Sequence, residues 1–210
     1  MRSQTQVTDQ IIEAASNLKV IARAGVGVDN INIEAATLKG ILVINATDGN
    51  TISATEHSIA MILAMARNIP QAHQSLKAGE WNRKAFRGTE LYKKTLGIIG
   101  AGRIGLGVAK RAQSFGMQIL AFDPYLTEDK AKSLDIQLAT VDEIASKSDF
   151  VTVHTPLTPK TKGIVGDNFF KKAKPNLQII NVARGGIIDE DALINALDHA
   201  KISRAAIDVF

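Results

Sequence analysis

The stretch Thr95 to Asp123 reads T-L-G-I-I-G-A-G-R-I-G-L-G-V-A-K-R-A-Q-S-F-G-M-Q-I-L-A-F-D. An apolar run ends at Gly100, and Gly100, Gly102 and Gly105 form G-x-G-x-x-G. A helical pattern follows through Val108, Ala109, Ala112 and Phe115, with Gly116 placed as its stop. A second apolar run ends in the acid Asp123. Three spaced glycines alone mark only a turn. Strand, glycines, helix, strand and acid in this order mark a dinucleotide site. The first glycine allows a tight turn, the second a close approach of backbone to pyrophosphate, and the third close packing of helix on strand. The helix N-terminus, with free N–H groups and a positive dipole end, faces the pyrophosphate. A carboxylate at Asp123 accepts from ribose hydroxyls and repels a 2′-phosphate, which favours NAD over NADP. Asp123 also suits a turn before Pro124.

Downstream the alternation continues. Thr140 and Glu143 make a capping box that opens a helix to about Ser146. Phe150 to His154 reads as a strand, Asp167 to Lys172 as a short helix and Leu177 to Val182 as a strand. Asp189 caps a helix to about Leu197, and Ala205 to Phe210 opens as a strand. From Thr95 on, five strands alternate with four helices, which predicts an α/β doubly wound parallel sheet, the Rossmann arrangement. In such sheets ligands bind beyond the C-terminal ends of the strands. Those ends are Gly100 to Gly105, Asp123-Pro124, His154-Thr155-Pro156, Val182-Ala183-Arg184 and Asp208.

Upstream, two helical and two strand patterns fill residues 1–46: Asp9 to Ala15 behind Thr8, Leu18 to Ala22, Ile33 to Leu38, and Ile41 to Asn45. So few elements are not expected to close a sheet around a core. The reading is a partial substrate-binding domain over 1–46 and a dinucleotide-binding domain over 47–210. Thr51 to Asn68 reads as a long helix, apolar around most of its girth, and so as buried between domains or subunits. A second helix runs to about Lys77, and Trp81 to Gly88 is a basic loop.

Composition sets the bounds. Hydrophobic residues make up 45% and charged residues 22%, as in an ordinary globular protein. The chain has no cysteine, which rules out disulfides, thiolate nucleophiles and Cys-ligated zinc, and no metal site is expected. No apolar run approaches the roughly 18 residues of a membrane span. The first ten residues lack the apolar stretch of a signal peptide. A cytoplasmic protein without a membrane or nucleic-acid partner is the simplest expectation. The net charge of +4 comes from scattered Lys and Arg.

Chemistry at the later strand ends is less determined. Arg184 lies between small residues and two glycines, a good position for a fork that grips a carboxylate. His154 either lines the adenosine side or is a bonded strand-end histidine. Asp208 either accepts from a nicotinamide carboxamide or ends a strand. A proton acceptor for a carbinol is also needed. None of His57, His73, His154 and His199 is placed where that role can be argued.

The motifs R-A-G-V-G-V-D-N (Arg23 to Asn30), G-A-G-R-I-G (Gly100 to Gly105), F-D-P (Phe122 to Pro124), V-H-T-P-L (Val153 to Leu157), N-V-A-R-G-G-I-I-D-E (Asn181 to Glu190) and A-I-D-V-F (Ala206 to Phe210) resemble the D-isomer-specific 2-hydroxyacid dehydrogenase family. The resemblance runs along essentially the whole chain. It implies an NAD-dependent oxidoreductase whose partial substrate domain is flavodoxin-like. It implies that Arg184 grips the substrate carboxylate and that Arg2, Ser3, Arg23, Val26 and Asn50 lie near the substrate. Arg83 resembles a basic residue that reaches the partner subunit's substrate. Arg103 and Ile104 would face the pyrophosphate and Asp123 the adenosine ribose. His154, Thr155, Pro156 and Thr161 would line the cofactor, alongside Val182 and Ala183, with Asp208 on the carboxamide. The Thr51 to Asn68 helix resembles a dimer-forming helix, so a homodimer or homotetramer is expected. The substrate implied is a small 2-hydroxy acid, phosphorylated if Arg2 and Arg83 share a pocket. A non-catalytic NAD-binding module is the alternative. The family's catalytic Glu and His fall after the D-V-F strand, beyond Phe210, and its first substrate-domain strands precede Met1. That leads us to expect a truncated reading frame with little turnover.

Overall fold

The computed structural model describes residues 1–2 and 4–210. It divides into two compact units, Met1–Ser53 and Ala54–Phe210.

The first unit contains α1 (Asp9–Ala14), β1 (Val20–Arg23), α2 (Ile33–Leu38) and β2 (Leu42–Asn45). Strands β1 and β2 pair in parallel, Val20 opposite Leu42 and Ala22 opposite Ile44. Met1 joins their edge, its amino group donating to the Ala22 carbonyl and its carbonyl accepting from the Ala24 N–H. Thr8 stands at the N-cap of α1 without a side-chain bond, whereas Asn32 caps α2 by accepting from Ala35 N at 3.0 Å. A core forms after all, from Val7, Ile12, Ile21, Ile31, Ala36 and Ile41. It is one-sided. The helices cover one face of the pair and leave Val20, Leu42 and Ile44 on the other face exposed.

The helix α3 (Thr51–Ala66) runs from the end of the first unit into the second. Its buried stripe is Thr55, Ser58, Ile62, Met65 and Ala66, a spacing of three and four residues that marks one face. Ile59, Met61 and Leu63 on its other sides are only partly covered. Pro70 sits in the first turn of α4 (Ile69–Lys77), where its missing N–H costs nothing. That helix buries no residue.

The rest of the second unit is β3 (Thr95–Ile99), α5 (Arg103–Ser114), β4 (Gln118–Phe122), α6 (Glu128–Ser133), β5 (Gln137–Leu138), α7 (Val141–Lys147), β6 (Phe150–Val153), α8 (Asp167–Lys172), β7 (Gln178–Asn181), α9 (Glu190–Asp198) and β8 (Arg204–Ile207). All six strands are parallel, in the order β5-β4-β3-β6-β7-β8. This is the doubly wound sheet, with its switch point between β3 and β6. One helix–strand pair more than the sequence pattern predicts is present, α6 with β5. The central strands β6 and β7 are fully buried on both faces, as crossover helices on both sides require. One apolar core lies under α3 and α5, around Leu96, Ile98, Val108 and Phe150. The other lies under α7, α8 and α9, around Ile99, Ile144, Val151, Phe169 and Ile179. The capping box of α7 is made as expected, with Thr140 N donating to Glu143 Oε2 at 2.9 Å and Glu143 N to Thr140 Oγ1 at 3.2 Å. Those bonds and Lys147 hold the exposed Glu143 carboxyl at a pKa of about 2, the Lys147 hydrogen bond being the largest cause. Among the described residues no helix is long and apolar enough to cross a membrane.

Candidate functional site

Beyond β3 the chain turns sharply. Gly100 has φ +98°, and a Cβ there would meet the His154 carbonyl carbon at 2.7 Å and Thr155 N at 2.8 Å. Both the turn and the β6 loop beside it therefore require glycine. A Cβ on Gly105 would lie 2.1 Å from the Gly100 carbonyl oxygen, so α5 reaches the strand end only because that atom is missing. Gly102 differs from both. It is the N-cap of α5, makes no side-chain cap bond, and would place a Cβ in open space. The first turn of α5 thus has no capping side chain and an unfilled space in front of it, a cradle that fits a pyrophosphate.

Asp123 closes the cradle from the end of β4. Its Oδ2 accepts from Ala101 N at 2.8 Å and its Oδ1 from Tyr125 N at 2.8 Å. It is both a turn former and a fixed, part-exposed carboxylate, and each oxygen keeps a lone pair for a ribose hydroxyl. Gly100 N donates to Phe122 O at 2.8 Å and His154 N to Ile99 O at 2.7 Å, which ties the ends of three neighbouring strands together.

The ring of His154 lies against its own strand, with Nε2 3.0 Å from Thr152 Oγ1. Burial lowers its pKa from 6.5 to about 4, so the ring is neutral at physiological pH. Thr155 Oγ1 is buried without a protein partner beside the glycine turn. Thr161 clamps the following loop, its hydroxyl donating to Pro156 O at 2.6 Å and accepting from Thr158 N at 2.8 Å.

Beyond β7, Asn181 holds the Val182-Ala183-Arg184 turn. Its side chain accepts from Ala183 N at 3.0 Å and donates to Arg184 O at 2.8 Å. Arg184 Nη1 donates back to Ala183 O at 2.6 Å. Asp208 follows β8 on the next strand, its N–H donating to Asn181 O at 2.9 Å. His57 Nε2 of α3 stands 3.3 Å from Asp208 Oδ1. The sequence pattern singles out neither Asn181 nor His57 as a site residue. An asparagine at a strand end could have been recognised as a turn former. Nothing local pairs His57 with a residue so far along the chain. Arg83 lies on the exposed Trp81 to Gly88 loop, Arg103 is the exposed first residue of α5, and Ile104 is half-buried.

The remaining candidates belong to the first unit. Arg23 is 8% exposed, and its guanidinium folds beneath its own loop, with Nη1 donating to Gly27 O. Asn45 donates to Val26 O at 2.6 Å. Asn30 donates to Arg2 O at 3.1 Å and so fastens the N-terminal turn. Asn50 is exposed and its carbonyl accepts from Ser53 Oγ. Ser3 lies outside the described residues.

A doubly wound sheet with this cradle defines a dinucleotide-binding oxidoreductase domain. Residues 59–210 match the model of the "D-isomer specific 2-hydroxyacid dehydrogenase, NAD binding domain". The chain belongs to the D-isomer-specific 2-hydroxyacid dehydrogenase family, and NAD is its cofactor. It is 55% identical over its full length to D-3-phosphoglycerate dehydrogenase of Methanocaldococcus jannaschii, covering 40% of that protein. It is 51% identical to the human D-3-phosphoglycerate dehydrogenase, covering 39% of it. The chain thus spans about 40% of the length of the curated relatives it matches. Among solved structures, D-lactate dehydrogenase from Aquifex aeolicus complexed with NAD and lactic acid superposes with TM-score 0.91. The two are 32% identical, over 98% of this chain and 62% of that one.

Proposed function

We propose that this chain is part of a cytoplasmic NAD-dependent dehydrogenase that oxidises 3-phospho-D-glycerate to 3-phosphohydroxypyruvate, a reaction of L-serine biosynthesis. The observation that carries the reading is identity of 50% or more along this whole chain to about 40% of the length of several D-3-phosphoglycerate dehydrogenases, in a chain that has the whole glycine cradle.

NAD, when bound, supplies the hydride acceptor. The α5 N-terminus and Gly102 hold its pyrophosphate, with Arg103 and Ile104 alongside. Asp123 takes the ribose hydroxyls. His154, Thr155, Pro156 and Thr161 wall the cofactor, and the orphaned Thr155 hydroxyl gains a partner there. Val182 and Ala183 pass beside the nicotinamide, and Asp208 accepts from its carboxamide. Arg184 grips the substrate carboxylate. Arg2, Ser3, Arg23, Val26 and Asn50, on a partial flavodoxin-like substrate domain, serve the rest of the substrate. Arg83 adds positive charge for a substrate phosphate across a homodimer or homotetramer. The apolar side chains left exposed on α3 and α4, Ile52, Ile69 and Leu76, supply the contact surface for that assembly.

Proton transfer is not provided for by the described histidines. His154 is neutral and bonded to Thr152, His57 faces Asp208, His73 is exposed on α4, and His199 follows α9 with its ring against the Asn195 carbonyl. The 210-residue chain is therefore expected to bind NAD and turn over little. Calorimetric titration with NAD, together with an NADH assay on 3-phosphoglycerate, tests both halves. Absence of NAD binding overturns the cofactor site. A complete gene product that reduces NAD with D-lactate but not with 3-phosphoglycerate reassigns the substrate to a plain hydroxy acid. One that binds NAD and turns over neither is a binding module.

A further inference from the structure

Asp208 directly follows β8, and its side chain is 47% exposed. A carboxylate at such a place has two free torsions and a solvated cloud of orientations, a poor start for recognising one ligand group. Two contacts remove that freedom. The backbone is tied to β7 by Asp208 N donating to Asn181 O at 2.9 Å. The side chain is met from α3 by His57, whose Nε2 stands 3.3 Å from Oδ1. This contact brings the Nε2 edge of the imidazole up to one carboxylate oxygen. Oδ1 thereby faces the imidazole, and Oδ2 is turned away from it and left to accept.

We propose that His57 is a positioning residue for recognition of the nicotinamide carboxamide, acting through Asp208. This rests on the reading of Asp208 given under the proposed function. Because an ionised carboxylate only accepts, the ligand must bring a donor, and an amide N–H₂ satisfies it. A ligand with a carboxylate at that point, as in nicotinic acid adenine dinucleotide, meets like charge instead. His57 thus sharpens discrimination in favour of the amide while touching neither the ribose nor the pyrophosphate. Glu56, its neighbour on α3, points elsewhere, pairing with Arg111 at 3.9 Å.

The test compares NAD with ADP-ribose, which shares the adenosine and pyrophosphate but lacks nicotinamide. Both are titrated calorimetrically into the 210-residue chain and into His57→Ala, His57→Gln and Asp208→Ala. The expected result for His57→Ala is NAD binding weakened about three- to fivefold, the size of a half-exposed charged contact. ADP-ribose affinity stays unchanged, and His57→Gln, whose amide donates in place of Nε2, recovers most of the loss. Equal weakening of NAD and ADP-ribose in His57→Ala would mean a merely structural role and overturn the proposal. So would unchanged NAD binding in His57→Ala where Asp208→Ala loses affinity for NAD alone. If Asp208→Ala leaves NAD binding intact, the underlying reading of Asp208 fails, and the role of His57 falls with it.

Discussion

The side-chain amide of Asn181 donates to the main-chain carbonyl of Arg184 at 2.8 Å, and its oxygen accepts from Ala183 N at 3.0 Å. One buried side chain, 2% exposed, thus holds the backbone on either side of the arginine's Cα. Asn181→Ala leaves that N–H and that carbonyl without partners and should cost about 2 kcal/mol of stability. Asn181→Asp keeps the acceptor for Ala183 N but sets a carboxylate against the Arg184 carbonyl. It should therefore loosen the arginine turn as well as destabilise the fold. Urea denaturation of both variants checks the first point. For the second, on the proposed dehydrogenase reading, the active protein should show a raised KM for its hydroxy acid with an unchanged dissociation constant for NAD. An Asn181→Asp variant with native stability and native KM would remove the turn from the site.

Asp123 is the second fixed point. Its two oxygens receive Ala101 N and Tyr125 N, and Ala101 is 5% exposed. Asp123→Ala strands a buried N–H and removes the proposed ribose acceptor together. It should lower the melting temperature and weaken NAD binding by about ten- to a hundredfold, the range of charge-assisted hydrogen bonds. Asp123→Asn separates the two effects. Its side-chain oxygen still accepts from one backbone N–H, so most stability remains. The negative charge is gone, so the preference for NAD over NADP should shrink. Fluorescence titration with both cofactors reads this ratio, and an unchanged ratio in Asp123→Asn would show that the carboxylate does not set it.

The sequence pattern made the second unit legible because its strands are short apolar runs between glycines and caps. Asp167–Lys172 was readable to the residue, and the Thr140 capping box to the atom. The pair α6 and β5 escaped for physical reasons. Helix α6 is six residues of mostly charged sequence with only Ala131 buried, and β5 is two residues at the sheet edge. Neither has the length from which a period can be read. Thr127, whose hydroxyl accepts from Lys130 N, was the available signal. The glycine cradle was legible because its chemistry is local. The contacts His57–Asp208 and Arg204–Asn68 were not, since each joins residues more than a hundred positions apart. The first unit looked too small for a core. Its two helices nevertheless cover one face of a two-stranded pair, which Met1 extends at the edge.

Acid sensitivity should come in two separate windows. Burial depresses the His154 pKa from 6.5 to about 4. The unfolded chain takes up this proton near pH 6.5 and the folded chain only near pH 4. Folding stability is therefore full above 6.5 and falls as pH drops toward 4, by up to about 2 kcal/mol at pH 5. Burial alone would raise the pKa of Asp149, but bonds from Thr95 N, Asn176 and Lys174 outweigh it and hold the carboxyl below 3.8. Its contribution is present above pH 3.8 and is lost only below that. Urea midpoints between pH 7 and 5 should fall in the parent and much less in His154→Asn. Parallel slopes for the two would show that His154 does not carry this term.

Two of the three glycines in the turn can be distinguished by experiment, because the structure assigns them different neighbours. Gly105→Ala drives a Cβ to within 2.1 Å of the Gly100 carbonyl oxygen, a main-chain atom that cannot step aside. The helix must move off the strand end, so the variant should lose several kcal/mol, as overpacked cores do at their worst, and fail to fold cooperatively. Gly102→Ala meets no protein atom within 4 Å, and its φ of −72° suits any L residue. Its melting temperature should match the parent or exceed it slightly, since alanine restricts the unfolded chain more than glycine does. Its methyl group, however, projects into the space in front of the α5 N-terminus where a pyrophosphate would lie. NAD and ADP-ribose should then both bind at least about tenfold more weakly, because the phosphate can no longer approach the backbone N–H groups. A Gly102→Ala chain that melts normally and binds both ligands normally would leave the cradle without a ligand. Normal melting with binding lost would locate the pyrophosphate by the one atom added.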